Sequence, residues 1–233
     1  LVRWIRENSP PEEVTALLEG HLDVAWNSPL AWVDSQRRSG STCRAIAMRD
    51  TDRDRVSHLV VRAEGPQDLR ELQDRPLATG AKDSPQATLI PLGLLARQGI
   101  HPRVIRHDVL VGKHGDHIGG ELDAFRCLER GEADASAMLD LNWQAWTKDG
   151  TIDPRRYRSL GTTDLFDHCG FTVRQDFDPE REEKWLRVLH SMSYEIPTHR
   201  EMMDLEGLKE WMPGRTTGFG PLTEAVRQLG YYD

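Results

Sequence analysis

Residues 23–30 read DVAWNSPL, and residues 76–90 read PLATGAKDSPQATLI. In each stretch, a short apolar segment typical of a strand leads through Asn27-Ser28-Pro29 or Asp83-Ser84-Pro85 into an apolar run with helical character. A polar residue followed by proline in the first turn is a helix start signal. The first backbone N–H groups of a helix have no partner, and the helix dipole adds positive charge there, so an anion can bind. Two such starts favour two lobes that point their helix ends at one ligand, although a capped start is also an ordinary way to begin a helix.

Length and composition are typical of a globular protein with a sizeable core. The chain has 233 residues, of which 38% are hydrophobic and 29% charged, enough for one large or two small α/β domains. A net charge of −8 argues against nucleic acid and anionic membranes as partners, and no apolar run is long enough for membrane insertion. Because the chain begins with Leu1 and shows no signal segment, we expect it to be processed, cut or incompletely covered. Three cysteines make a disulfide scaffold unexpected and leave the compartment open.

An internal echo indicates the fold class. LEGHLDVA at residues 18–25 is echoed by ERGEADAS at residues 129–136, and each predicts a helix end, a glycine, a tight turn with aspartate and a strand. Strands that alternate with helices predict an α/β fold with mixed, mostly parallel sheets flanked by helices. In such sheets ligands bind at the carboxyl ends of strands. Further helices are expected near the end of the chain, at residues 205–211 and 222–229.

Three motifs resemble the substrate-binding proteins of phosphate, phosphite and phosphonate ABC transporters. The first is Gly20-x-x-Asp23 with its strand, which leads into the Asn27-Ser28-Pro29 loop. The second is DSPQATLIP at residues 83–91, which is similar to that family's Ser-x-Ser-Gly-x-x-x-Pro anion loop. The third is Gly112-Lys113-His114, followed by the Gly131-x-x-Asp134 turn.

The resemblance implies the two-lobed periplasmic-binding-protein type II fold. It also implies a solute-binding protein that holds a small anionic or zwitterionic ligand, phosphonate-like or a carboxylate, in a cleft between the lobes. We expect one discontinuous lobe from residues 1–79 and 166–233 and a second lobe from residues 80–165. The family begins with a strand and a helix that are missing upstream of residues 1–6, so we expect the first lobe to lack about fifty residues. An ABC permease as a partner and a periplasmic or extracytoplasmic location are further implications.

The predicted ligand contacts lie at the two helix starts and after predicted strands. Gln86 and Ala87 stand where the family has serine and glycine, so fewer hydroxyls face the anion. Core packing is the alternative for Trp26, and a plain capped helix is the alternative for Ser84. The complete set of predicted ligand contacts is Trp26, Asn27, Ser28, Asp83, Ser84, Gln86, Thr88, His114, His117, Asp140, Asn142 and His168.

The segment of residues 112–121 carries two histidines where the family usually has one. His114, His117 and Glu121 are the residue types of a metal site, but the glycines among them exclude one helix that presents both histidines. A loop could hold a metal together with His168 or Cys169, could place the histidines on a ligand oxyanion, or could simply be solvated. We expect no cofactor, and these three residues are the metal candidates.

Two further charged stretches have simple interpretations. Asp167-His168-Cys169 sets a base beside a nucleophile, but neighbouring residues on a strand face opposite ways, so we do not expect a dyad. A buried structural cysteine is the default. The charged run DTDRDR at residues 50–55 is expected to be a solvated turn.

The sequence leaves more than one class of function open. In a solute-binding protein, affinity would come from charge-assisted hydrogen bonds of about 1.5–3 kcal/mol each. The alternative is an enzyme on the same fold, a decarboxylase or hydrolase that uses the His114 and His117 loop with or without a metal. A ligand-sensing domain of a regulator is a third interpretation. The absence of a Gly-rich nucleotide loop, a nucleophile elbow and a helical His-Glu-x-x-His from the sequence favours the binding protein.

Overall fold

The computed structural model describes residues 10–108 and 118–232. Its helices within these residues are α1 (Pro10–Leu18), α2 (Pro29–Ser39), α3 (Ile90–Arg97), α4 (Ile118–Glu129), α5 (Asp140–Lys148), α6 (Pro179–His190), α7 (Pro197–Leu205) and α8 (Gly220–Gln228). Its strands are β1 (Val24–Asn27), β2 (Arg44–Arg49), β3 (Ser57–Arg62), β4 (Pro76–Thr79), β5 (Arg103–Arg106), β6 (Ala135–Leu139), β7 (Tyr157–Thr162), β8 (Gly170–Val173) and β9 (Trp211–Pro213).

The chain forms two compact units, each built from two stretches of sequence. Unit 1 contains the described residues up to Asp54 together with Phe166–Gly220, and unit 2 contains those from Arg55 to Leu165 and from Pro221 onward. We expected residues 55–79 and 221–233 to belong to the first lobe. Residues 55–79 are grouped with the second unit because β3 and β4 both pair with β6 in one sheet, and residues 221–233 because Ala225 of α8 packs against Gly93 of α3.

Unit 1 contains a four-stranded sheet in the order β1-β8-β2-β9. All three of its pairings are antiparallel, with Val24 opposite Val173 and Arg49 opposite Trp211. The sequence predicted a helix over residues 205–211, which is wrong: α7 ends at Leu205 and β9 begins at Trp211. Trp211 begins β9, an edge strand of this sheet, and its ring is buried against Met203 and Leu208.

Unit 2 contains a five-stranded sheet in the order β5-β4-β6-β3-β7. β4 is parallel to β5 and to β6, whereas β3 is antiparallel to β6 and to β7. The α/β class with mixed sheets and flanking helices is confirmed, but the predominance of parallel strands is wrong. Helix–strand alternation does not determine direction, because β1 and β2 each pair with β8, which arrives from far along the chain.

The internal echo corresponds to two matching helix ends. Gly20 after α1 and Gly131 after α4 both have a φ of +77°, which glycine adopts without the strain of a side chain. The N–H of His21 donates to the carbonyl of Ala16 over 2.8 Å, and the N–H of Glu132 donates to that of Cys127 over 3.1 Å. Both follow the same C-cap pattern, in which the N–H of the residue after the glycine reaches back to the last turn of the helix.

Each unit has its own apolar core. In unit 1, Ile46, Val173 and Phe177 form one buried cluster, and Met203, Leu208 and Trp211 form another. In unit 2 the sheet is covered on both faces by clusters that contain the residues Leu59, Val61, Leu72, Leu77, Leu95, Val60, Phe125, Leu128 and Met138. Among the described residues, no helix combines the length and the apolar character needed to cross a bilayer.

Candidate functional site

The candidate site of unit 2 lies at one edge of its sheet. β4 pairs in parallel with β6, with Leu77 opposite Ala135. Because parallel strands end at the same edge, the helix start after β4 shares that edge with α5, which begins at Asp140 directly after β6. β3 runs antiparallel to β6 and begins at the same edge, with Ser57 opposite Leu139.

The helix start after β4 is capped as the sequence predicts. A π-helical turn, Pro85–Leu89, continues directly into α3, and the Oγ of Ser84 accepts the backbone N–H of Ala87 over 3.2 Å. A Cβ at Gly80 would lie 2.7 Å from the Cβ of Ala87, so the turn and the strand end can approach only where residue 80 is glycine. Ser84, rather than Asp83, is therefore the cap, and Asp83 is half-buried beside it.

A buried carboxylate joins the two helix starts of this edge. Glu121 lies in the first turn of α4 and is fully buried. Its Oε1 accepts the side-chain amide of Gln86 over 3.0 Å, and its Oε2 accepts the amide of Asn142 and the backbone N–H of Leu139 over 2.8 Å each. Glu121 thus fixes the orientation of Gln86 and Asn142, two predicted ligand contacts.

The neighbouring groups of this edge are charged or aromatic. The Oδ2 of Asp140 lies 3.4 Å from the Nη1 of Arg55. The Nδ1 of His58 lies 2.9 Å from the Oγ of Ser159, and its ring centroid lies 5.6 Å from that of Trp143. Burial lowers the pKa of His58 and outweighs the opposite effect of the Asp140 charge, so this imidazole is neutral at neutral pH.

Three predicted ligand contacts at this edge have buried polar atoms without a partner. Gln86, Thr88 and Asp140 are buried residues, with 5%, 3% and 8% of their surface exposed. Within residues 10–108 and 118–232, the Oε1 of Gln86, the Oγ1 of Thr88 and the Oδ1 of Asp140 have no hydrogen-bond partner. Because folded proteins pair almost all buried polar atoms, these three point to a bound group such as a ligand or water.

Unit 1 carries the second predicted helix start. The Oγ of Ser28 accepts the backbone N–H of Ala31 over 3.3 Å and caps α2. Asn27 is buried, and its Nδ2 donates to the Oγ of Ser35 over 3.1 Å, whereas its Oδ1 has no partner among the residues described. This start has the same local construction as the one at Ser84.

Trp26 is placed among aromatic side chains of unit 1. Its ring centroid lies 4.7 Å from that of Phe171 and 6.0 Å from that of Trp211, and the guanidinium of Arg49 lies 5.1 Å from it. These contacts match the packing alternative that the sequence left open. A ligand contact at Trp26 stays a prediction.

The predicted histidines divide into two groups. His114 and His117 lie outside the described residues. His168 is in unit 1, where its Nδ1 lies 3.1 Å from the Sγ of Cys169 and 3.4 Å from the Oδ1 of Asp52. The prediction that His168 and Cys169 cannot meet is wrong, because β8 begins only at Gly170 and the two side chains are not held in strand alternation.

Sequence reasoning missed the start of β3 as part of the unit 2 edge. The run of residues 50–55 is not a solvated turn: Asp52 is 3% exposed and Arg55 pairs with Asp140. Ser57 donates from its Oγ to the backbone carbonyl of Gln86 over 2.5 Å and holds the capped turn in place. The alternation of SHLVVR predicts the strand, but only the pairing of β3 with β6 brings it to this edge.

Each of the two α/β units carries a capped helix start that follows a strand, and such a start can bind a small anion. The chain belongs to the family described as ABC transporter, phosphonate, periplasmic substrate-binding protein, whose model matches residues 6–219. It is therefore a solute-binding protein of an ABC-type system.

Solved structures agree on the fold. PhnD1 from Prochlorococcus marinus, in complex with methylphosphonate, has a TM-score of 0.70 and 17% identity, over 98% of this chain and 86% of that one. XAC2383 from Xanthomonas citri, bound to ATP, has a TM-score of 0.76 and 17% identity, over 97% and 85%. The aliphatic sulphonate binding protein SsuA from Escherichia coli has a TM-score of 0.61 and 15% identity, over 98% and 81%. The fold is that of the type II periplasmic-binding proteins.

Proposed function

We propose that this protein binds a small phosphonate-like solute at the unit 2 edge and presents it to an ABC permease outside the cytoplasm. The observation that carries the proposal is the set of buried, unpartnered atoms of Gln86, Thr88 and Asp140 beside the Ser84 helix start. Membership of the phosphonate-binding family supports the same class of solute.

The anionic end of the solute suits the helix start. The N–H groups of a first turn and the dipole of the continuous helix from Pro85 to Arg97 favour a negative charge. The hydroxyl of Thr88 adds a donor, since a hydroxyl can give its hydrogen to an oxyanion oxygen. Hydrogen bonds to a charged oxygen are about twice as strong as neutral ones, which accounts for affinity without a lysine or arginine in the turn.

The other two unpartnered atoms require a donor on the solute. The Oε1 of Gln86 is fixed as an acceptor, because the Nε2 of the same amide donates to Glu121. The Oδ1 of Asp140 is a carboxylate oxygen and accepts only. A solute with an ammonium or hydroxyl group besides its oxyanion satisfies both, so a zwitterionic or hydroxylated phosphonate fits this edge better than sulfate, which has no donor at neutral pH.

Asn27 and Ser28 form a second candidate contact in unit 1, on the same physical grounds. Their helix start is capped, and the Oδ1 of Asn27 is buried without a partner among the described residues. We propose that they bind oxyanion or hydroxyl groups of the same class of solute. His114 and His117 remain proposed contacts by their sequence motif alone.

The experiment compares two threonines that differ in position. Native mass spectrometry of the purified protein identifies any co-purified solute, and calorimetry with that solute or with aminoalkyl phosphonates measures affinity. Thr88→Val removes one buried hydroxyl and should weaken binding about tenfold, the scale of one charge-assisted hydrogen bond. Thr147→Val is the matched control, because its Oγ1 is also buried without a partner among the residues described but lies near the other end of α5. If both variants bound the solute as tightly as wild type, the unit 2 edge would not be part of the solute site.

No observation on the described residues favours the enzyme alternative. Glu121, its only described metal candidate, already accepts three N–H donors, and the chain's family is one of binding proteins. The permease partner and the extracytoplasmic location follow from the family description and stay proposals.

A further inference from the structure

A cluster of ionisable side chains in unit 1 includes His168, whose ligand contact stays a prediction. The Nδ1 of His168 lies 3.1 Å from the Sγ of Cys169 and 3.4 Å from the Oδ1 of Asp52. The backbone N–H of His168 also donates to the carbonyl of Asp52 over 2.7 Å, so the histidine is held to this turn by main chain and side chain. Asp52 is buried, whereas His168 and Cys169 are half-buried and within reach of small molecules.

Arg49 closes the cluster on its far side. Its Nε donates to the Oδ2 of Asp52 over 2.5 Å, and its Nη2 donates to the Oδ1 over 3.1 Å. The carboxylate of Asp52 is therefore held between a guanidinium and an imidazole. The charge of Cys169 acts on Arg49 as well as on His168 and raises the pKa of both.

The charge state of His168 follows from these neighbours. Burial lowers the pKa of His168, but the charge of Cys169 and hydrogen bonds to Asp52 and Cys169 outweigh it and raise the pKa to about 10. The histidine is an imidazolium at neutral pH. The groups that act on this cluster are Arg49, Asp52, His168 and Cys169, with Glu206 acting on Arg49.

The other two cysteines provide an internal contrast. Cys43 is 6% exposed and Cys127 is 1% exposed, and all three cysteines are free thiols in this structure. Burial makes the largest contribution to the raised pKa of Cys127. Reactive cysteines lie in partly exposed, electropositive surroundings, a description that fits Cys169 alone among the three.

We propose that Cys169 is a modification site that reacts with small disulfides, activated by the His168 imidazole that lies 3.1 Å from its sulfur. The thiolate sulfur attacks one sulfur of the disulfide, an S–S bond to Cys169 forms as the original S–S bond breaks, and the second half leaves as a thiolate that takes a proton from water. No oxidant other than the disulfide itself is consumed. His168 and Asp52 act as positioning residues.

A bound metal is the competing use of the same three side chains. Asp52, His168 and Cys169 offer ligand atoms within 4.8 Å of one another. Both oxygens of Asp52, however, already accept from Arg49, whose positive charge opposes a divalent cation at this point. The geometry therefore favours the thiolate.

The test measures the rate at which dithiodipyridine, a neutral disulfide, reacts with the folded protein at about pH 6. An ordinary thiol is about 0.3% ionised at that pH, so a thiol that reacts faster than glutathione there is activated by its surroundings. We expect one thiol per chain to react about tenfold faster than glutathione, with Cys169 as the site by peptide mass spectrometry. This measurement on wild type needs no variant to fold.

Three variants test whether Cys169 and His168 cause the fast reaction. Cys169→Ser should abolish the fast reaction, and Cys43→Ser should leave it intact. His168→Gln should slow the reaction about tenfold at the same pH while circular dichroism shows a folded protein. A wild-type rate no faster than that of glutathione would overturn the proposal. So would a metal that co-purifies at one equivalent and must be removed by a chelator before Cys169 reacts.

Discussion

The side-chain amide of Gln86 donates to the Oε1 of Glu121 over 3.0 Å, although 35 residues separate them, and both side chains are buried. This bond ties the capped turn after β4 to the first turn of α4. The same carboxylate holds Asn142 at the start of α5, so one acidic residue orients the polar groups of the candidate site.

Removal of this carboxylate should affect folding as well as binding. Glu121→Ala leaves the buried amide of Gln86 and the part-buried donors of Leu139 and Asn142 without this acceptor. Each lost acceptor costs about 1–3 kcal/mol, so the free energy of unfolding should fall by about 3 kcal/mol or more. Denaturant titration measures this. Glu129→Ala removes a half-exposed carboxylate, paired with Arg126, from the same helix and should cost less than about 1 kcal/mol. Equal losses in the free energy of unfolding for the two variants would mean that the Glu121 contacts stabilise the fold no more than an exposed ion pair does.

The Ser84 cap can be separated from its proposed ligand role. Ser84→Ala should lower the free energy of unfolding by about 1 kcal/mol, because the N–H of Ala87 loses its acceptor, and should also weaken solute binding. Asp178→Ala is the control, since Asp178 caps α6 through the N–H groups of Glu180 and Arg181 and has no proposed ligand contact. Calorimetry should show a weaker affinity for the first variant alone.

His58 should make the protein less stable in mild acid. Burial places its folded-state pKa below the ordinary value of 6.5, so the unfolded chain binds the proton more readily. The stability that depends on neutral His58 is present above about pH 6.5 and is lost as the pH falls through the lower folded-state value. Urea titrations from pH 8 to pH 5 should show a steeper loss for wild type than for His58→Gln. Parallel pH profiles would refute this assignment.

Gly93 tests whether α8 packs within unit 2. A Cβ at Gly93 would lie 2.4 Å from the Cβ and 2.8 Å from the Cα of Ala225, so Gly93→Ala forces α3 and α8 apart. We expect the free energy of unfolding to fall by about 1–3 kcal/mol, although alanine has the better helix propensity. Gly99→Ala is not a suitable control because its φ is +71°. Ala225→Gly in the double variant should instead recover part of the loss, and strict additivity would argue against this contact.

Local sequence was sufficient for some of these features and not for others. The caps at Ser28 and Ser84 and the glycines at residues 20 and 131 depend on a few neighbouring residues, and they were predicted correctly. The Glu121 contacts join residues 86, 121, 139 and 142, and no local pattern indicates that these positions meet.

The predictions from sequence failed mainly for the direction of the strands and for the burial of charged residues. β8 separates β1 from β2 and makes both pairings antiparallel, a long-range arrangement that helix–strand alternation does not reveal. Asp52 looked like part of a solvated run, yet Arg49 and His168 compensate its charge and let it be buried. Such compensation depends on a partner 116 residues away from Asp52 along the chain.

The proposed function requires that the folded protein binds a phosphonate-like solute. Isothermal titration calorimetry of wild type with methylphosphonate and an aminoalkyl phosphonate, against inorganic sulfate at the same ionic strength, tests it most directly. We predict saturable one-to-one binding of a phosphonate with a dissociation constant of about 1 µM or lower, equivalent to about −8 kcal/mol, and tighter binding of the amine-bearing compound. The absence of saturable binding by either phosphonate up to millimolar concentration, in protein from which mass spectrometry shows that no solute was carried over, would contradict the account.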